Sequence, residues 1–206
     1  MIKIALVGDI GSGKSHISKL FKAPTFDADK EVSIIYKRNK GCFKKIKKKL
    51  PGYFSKFPIK KNELVTSILD KKDNLKKISK IVHPIVRKKM KEFLFKNKNK
   101  KVIVLDIPLF LENKLNEKND VIIFVQSRRK DIQKRLVKRK GYNYFLIKKL
   151  KKIQLPLEMK KKKSHFVIKN DFTIVTAKNN VKNILQKLLN ERYNIIDTLL
   201  NLSTRD

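Results

Sequence analysis

A parallel α/β fold, its sheet buried between layers of helices, is predicted by three observations. Short β-branched apolar runs recur along the chain, segments with helical spacing of apolar residues separate them, and the first run ends in a glycine-rich bend that opens a helix. Strands alternating with helices in this way build a parallel sheet through right-handed crossovers. The first run, "IKIALVG" (Ile2 to Gly8), is apolar almost throughout, as a strand covered on both faces must be. From Lys14 to Phe21 the apolar residues Ile17, Leu20 and Phe21 follow helical spacing. "TFDAD" (Thr25 to Asp29) ends a second strand, with both carboxylates expected at its tip. "KVIVLDIP" (Lys101 to Pro108), "DVIIFVQS" (Asp120 to Ser127) and "HFVIK" (His165 to Lys169) supply three more strands. Ile78, Ile81, Ile85 and Val86 share the inner face of a helical segment in which Pro84 is expected to bend or start a helix. Ile184, Leu185, Leu188 and Leu189 form the inner face of another, and the tail from Asn179 to Leu202 reads as a terminal amphipathic helix packed on the core.

About seventy residues separate the second strand from the third, too many for one crossover. The basic, helix-rich stretch 32–100 is therefore expected to be an inserted subdomain, with 1–31 and 101–206 forming the nucleotide-binding core and 128–150 a lid within it. A chain of 206 residues is long enough to bury such a core as one unit. No apolar run approaches the length of a membrane span. The start of the chain lacks the features of a signal peptide, and the single Cys42, expected to be a passive thiol, suits a reducing compartment, so a cytoplasmic protein is expected. With 53 Lys and Arg against 18 Asp and Glu, the formal charge is +35, which attracts polyanions. Most of these cations are lysines accompanied by many asparagines and isoleucines, as adenine- and thymine-rich coding DNA favours. "KKIKKKL" (Lys44 to Leu50) and "KKKK" (Lys160 to Lys163) lack interleaved aromatics that could stack on bases, and are expected to be solvated helix faces. No specific nucleic-acid partner is expected, and a monomer or small homo-oligomer is compatible with the sequence.

Gly8-Asp9-Ile10-Gly11-Ser12-Gly13-Lys14-Ser15 matches G-x-x-x-x-G-K-[ST] at every fixed position, between a buried strand and a helix. Gly11, Ser12 and Gly13 let successive backbone N–H groups wrap an anion, Lys14 reaches the β- and γ-phosphates, and the Ser15 hydroxyl ligates Mg²⁺. A nucleoside triphosphate is thus the expected donor. A GTPase would carry N-K-x-D after a later strand, where this chain has "QSRRKDIQKRL". Two further constellations favour a kinase. Asp27 and Asp29 leave the second strand near the loop, where one can accept a hydroxyl proton and the other can cap a helix. Arg128, Arg135 and Arg139 are expected on one helix, the last two on one face, as a lid that neutralises charge on the transferred group or as a solvated basic surface.

These segments together resemble the dephospho-coenzyme A kinase family over nearly the whole chain. The likeness rests on "GDIGSGKS", "FDAD", "IVHPIVR" (Ile81 to Arg87), "LDIPLFLE" (Leu105 to Glu112), "QKRLVKRKG", "IQLPLE" (Ile153 to Glu158) and "FVIKN", in this order. The resemblance implies a parallel-sheet P-loop nucleotide-kinase core with an inserted helical acceptor-binding domain and a helical lid. It implies ATP-dependent phosphorylation of the ribose 3′-hydroxyl of dephospho-coenzyme A, with Asp29 as the base and Asp27 as its neighbour. By it, Lys14, Arg135 and Arg139 complete the catalytic set, and His83, Arg87, Pro108, Leu109 and Glu112 form the acceptor wall. His83 is either a ligand or an orienting group, and Glu112 either fixes the acceptor or caps local structure. His16 joins the loop residues at the cofactor, and Asn170 approaches adenine.

The chain departs from the family pattern at several positions. Asp9 and His16 stand where glycine and threonine are usual, Ser33 and Lys61 where arginines are usual, and Lys140 where aspartate is usual. His165, Lys169 and Asp171 replace the acidic residues and glycine around the last strand. Lysine keeps a charge but loses arginine's bidentate fork, so the acceptor-phosphate contacts differ. The alternatives are another small-molecule or nucleotide kinase, and a basic nucleic-acid-binding protein with a nucleotide-sensing loop.

Overall fold

The computed structural model describes the backbone of residues 1–203 and the side chains of residues 1–190. Five strands form one parallel sheet: β1 (Ile2–Gly8), β2 (Thr25–Asp27), β3 (Val102–Asp106), β4 (Asp120–Gln126) and β5 (Phe166–Lys169), in the spatial order β2-β3-β1-β4-β5. The most apolar strand takes the centre because both its faces are covered. Ile4 and Leu6 point into one hydrophobic cluster, and Ala5 and Val7 into the opposite one. The register pairs Val7 with Phe124 and Asp27 with Asp106, so the carboxylates of two neighbouring strands end side by side.

Helix α1 (Lys14–Leu20) buries Ile17, and Phe21 follows at its end, against the first cluster. The long α9 (Ile174–Ser203) closes the same face with Ala177, Val181, Ile184 and Leu188. The expected terminal helix thus begins earlier, at Ile174, and its side chains beyond residue 190 lie outside the described residues. Between β2 and β3 run α2 (Ala28–Arg38), α3 (Lys40–Lys49), α4 (Lys61–Asp70) and α5 (Asn74–Lys96). Ile35, Ile46, Phe54, Ile78 and Val82 give these helices a hydrophobic cluster of their own. Cys42 is buried in it, and burial pushes its thiol pKa up, as befits a passive side chain. After β4 come α6 (Arg129–Val137), α7 (Tyr144–Lys151) and α8 (Leu157–Lys162). Among the described residues, no helix is long and apolar enough to cross a membrane.

Three expectations are corrected here. The second strand stops at Asp27, whose carboxylate accepts the Lys30 N–H at 2.9 Å and starts α2 at once; Asp29 therefore sits in the first turn of a helix, not at a strand tip. Of the two roles expected of Pro84, starting a helix is excluded. The α5 helix runs through it for 23 residues, since packing of Ile78 and Val82 outweighs the single N–H that proline removes. Helix α6 covers only 129–137, so Arg128 is its N-cap and Arg139 lies in the turn beyond it.

Candidate active site: a phosphate loop among carboxylates

The loop between β1 and α1 is shaped by two glycines that no other residue can replace. Gly8 has φ +148°, and a Cβ there would meet the Val125 carbonyl oxygen at 2.6 Å; Gly13 has φ +93°, and a Cβ would meet the Asn170 amide at 2.4 Å. The Lys14 ammonium turns back under the loop and donates to the carbonyls of Asp9 (2.8 Å) and Gly8 (3.4 Å). Burial holds its pKa below the usual lysine value, and Lys160 adds repulsion, while Asp106, Asp9 and Asp29 act the other way. A cation held among carboxylates and loop N–H groups is a ready counter-charge for an incoming phosphate.

Asp106, at the end of β3, is only 5% exposed and lies next to the Ser15 side chain. Its pKa is raised by burial and by Asp27, against the effects of Ser15 and Lys14. Sequence reasoning passed over it, although "LDIPLFLE" was singled out. An aspartate ending an apolar strand beside a phosphate-loop strand was the available signal. Asp29 is open to solvent on one side yet faces the same group. Its pKa is raised by burial first, then by Asp27 and Asp106, with Lys14 and Arg139 opposing. Asp27, by contrast, is engaged as the cap of α2.

The two arginines expected to serve a lid diverge. The charge of Arg139 reaches Asp29, whereas the Arg135 guanidinium lies 4.3 Å over the Phe172 ring. Phe172 itself has φ +67° and stands beside Gly13. Asn170 is 3% exposed; its Nδ2 donates to the Ser12 carbonyl at 2.8 Å and its Oδ1 accepts the Phe172 N–H at 3.1 Å. The amide expected to approach adenine is hydrogen-bonded to the phosphate loop. His16 is exposed on α1, and Gly11 backs onto Leu136 and Ile132.

Of the residues expected on the acceptor wall, His83 is half-buried in α5, its pKa lowered by burial and by the charge of Arg87 one turn on, which is exposed. Pro108 is exposed and Leu109 has φ +57° in the turn after β3. Glu112 is committed to the protein: Oε1 accepts the Leu155 N–H at 3.0 Å and the Lys160 ammonium at 2.7 Å. Lys160, expected on a solvated face, is 2% exposed, because α8 packs flat against the sheet and carries its lysine inward. Removing one partner of a buried pair strands the other charge, at about 3–5 kcal/mol. Glu112→Gln and Lys160→Met should therefore each lower the melting temperature by roughly 10 °C. The double variant should lose less than the two singles together; additive losses in thermal unfolding would show that the two do not act as a pair.

The family model for dephospho-CoA kinase matches residues 2–176. A protein of Wolbachia sp. subsp. Brugia malayi, named dephospho-CoA kinase, is 33% identical over 90% of this chain and 97% of its own. A Bacillus cereus protein of the same name is 32% identical over 95% of this chain and 99% of its own. In fold, the chain is similar to a crystal structure from Thermus thermophilus (TM-score 0.73, 22% identity, 91% of this chain and 97% of that one). It is also similar to dephospho-CoA kinase from Campylobacter jejuni (TM-score 0.59, 22% identity, 90% and 96%). With the phosphate loop, the "FDAD" turn and the "HPIVR" helix all in place along a family match over residues 2–176, the chain belongs to the dephospho-coenzyme A kinase family.

Proposed function

We propose that the chain transfers the γ-phosphoryl group of ATP to the ribose 3′-hydroxyl of dephospho-coenzyme A, giving ADP and coenzyme A. The observation that carries this reading is the convergence of Lys14, Asp106 and Asp29 at one phosphate loop, in a chain of this family. The hydroxyl oxygen attacks the γ-phosphorus, the bond to the β–γ bridging oxygen breaks, and ADP leaves with the electron pair. Asp29 takes the hydroxyl proton, for which its raised pKa suits it. Lys14 and the loop N–H groups hold the donor phosphates in line, and Arg139 meets the charge that builds on the transferred group. Asp27 sets the first turn of α2 and so the position of Asp29.

The Ser15 hydroxyl beside the Asp106 carboxylate is an oxygen-only pair that fits Mg²⁺. Among the described residues no three His, Cys, Asp or Glu side chains converge on a metal position. When bound, the ion neutralises charge on the β- and γ-phosphates. Arg135 on Phe172, beside Asn170, supports a flat platform for the donor's base next to the loop. Residues 32–100 serve as the acceptor-binding insertion, with His83, Arg87, Pro108 and Leu109 facing the acceptor. Residues 128–150 serve as the lid. The Lys149 ammonium donates to the carbonyls of Ile68 and Lys71, joining lid to insertion. The catalytic unit is a monomer or a small homo-oligomer, acting in the cytoplasm where ATP is abundant.

An acceptor panel tests this. Purified protein with Mg²⁺ and ATP should form ADP and coenzyme A when dephospho-coenzyme A is present, and far less ADP with AMP, shikimate or gluconate at equal concentration. Preference for AMP would keep a kinase but overturn the acceptor. No turnover with any of them, together with salt-sensitive nucleic-acid binding, would favour a basic binding protein.

A further inference from the structure

A cavity of about 540 Å³ opens between α6, α7 and the tip of the phosphate loop. Its walls are of two kinds. Ile132, Leu136 and Tyr144 present apolar and aromatic surface, while Arg129, Lys148 and Lys152 bring positive charge. Those three cations have no carboxylate partner among the described residues. The carboxylate on the cavity wall, Asp9, is already neutralised by Lys151 at 3.3 Å. The space is thus set up for a ligand that is anionic at one part and apolar or amide-like along another.

Its position relates it to the reaction centre. Leu136 and Ile132 pack directly behind the phosphate loop, where a Cβ on Gly11 would meet them at 3.0–3.1 Å. The turn that follows α6 carries Arg139, whose charge reaches Asp29, and three residues later Tyr142 of the cavity wall. The cavity therefore backs onto the phosphate loop and shares its wall with the turn that carries Arg139. The opposite side of α7 is fastened to the insertion by Lys149, which holds this wall in place.

Beyond its adenosine, dephospho-coenzyme A is a diphosphate followed by a long uncharged arm. We propose that the cavity between α6 and α7 receives that diphosphate and pantetheine arm, so that the lid helices recognise the acceptor and do not merely cover the donor. The proposal rests on the dephospho-coenzyme A kinase reading. The free cations meet the diphosphate, and the arm lies along Ile132, Leu136 and Tyr144.

Steady-state kinetics of Lys148→Ala/Lys152→Ala, and separately of Tyr144→Ala, test it, with 4′-phosphopantetheine as a probe that has the phosphate and arm but no nucleoside. Each variant should raise the KM for dephospho-coenzyme A about 5- to 10-fold, with the KM for ATP and kcat within about twofold of the parent. In the parent, 4′-phosphopantetheine should inhibit competitively against dephospho-coenzyme A and not against ATP. The lysine variant should weaken that inhibition by the same factor. The side chains replaced are exposed, so melting temperatures should not move. A rise in the KM for ATP instead would give the cavity to the donor, and unchanged KM values for both substrates would leave it without a ligand; either overturns the proposal. Failure of the parent to phosphorylate dephospho-coenzyme A would overturn the underlying reading, a distinct result because it appears before any variant is made.

Discussion

Replacing Lys14 with alanine lowers phosphoryl transfer by about 10³-fold, the scale on which removal of one preorganised donor at a transferring group acts. At 1.36 kcal/mol per tenfold, that is about 4 kcal/mol of transition-state stabilisation. The fold should survive. Burial depresses the Lys14 pKa, so folding works against its charged form. Folding favours the neutral form of a depressed lysine, so the charge of Lys14 does not itself stabilise the fold. Its removal loses two hydrogen bonds with loop carbonyls, at about 1 kcal/mol each, and the counter-charge it offers Asp106 and Asp29, so a modest fall in melting temperature is expected. ADP release in a coupled assay, read beside the thermal unfolding curve, checks both halves. A folded Lys14→Ala protein turning over at the parent rate would refute the assignment of the phosphate loop.

Changing Asp29 to asparagine keeps the shape of the side chain and removes the proton acceptor. Phosphoryl transfer should fall by about 10²–10⁴-fold while ATP binding, measured by calorimetry, persists. In the parent, the acidic limb of kcat/KM should lie above the pH at which an exposed aspartate titrates. Burial, Asp27 and Asp106 all raise the Asp29 pKa. A raised carboxylate contributes stability that is complete below its unfolded pKa and lost as pH rises through the folded one. At pH 7 the ionised Asp29 therefore opposes folding, and Asp29→Asn should melt no lower than the parent. A lower melting temperature would mean that Asp29 is structural. Asp27→Asn is the control, because asparagine caps a helix as well as aspartate does. Loss of transfer in Asp27→Asn but not in Asp29→Asn would show that the two roles are reversed.

Much of this site was legible in the chain because it depends on local geometry. A loop that wraps phosphate needs glycine where φ is positive and a lysine and serine at the next helix start, and those requirements fall within eight consecutive residues. The five strands were legible for a similar reason: a strand covered on both faces has few polar residues to blur it. Side-chain pairings across the fold were not legible. Lys160 sits within four consecutive lysines, and only the packing of α8 against the sheet selects it from the run to meet Glu112. Arg135 and Arg139 look equivalent by helical spacing; the end of α6 at Val137 separates them, one to Phe172 and one toward Asp29. Asp106 acquires its meaning from strand order, because it faces Asp27 only once β2 pairs with β3. The sequence by itself determined the strands, the phosphate loop and the family, since each rests on contiguous pattern. The tertiary structure decided which charges become partners, because burial and electrostatic coupling depend on distances between segments far apart in the chain.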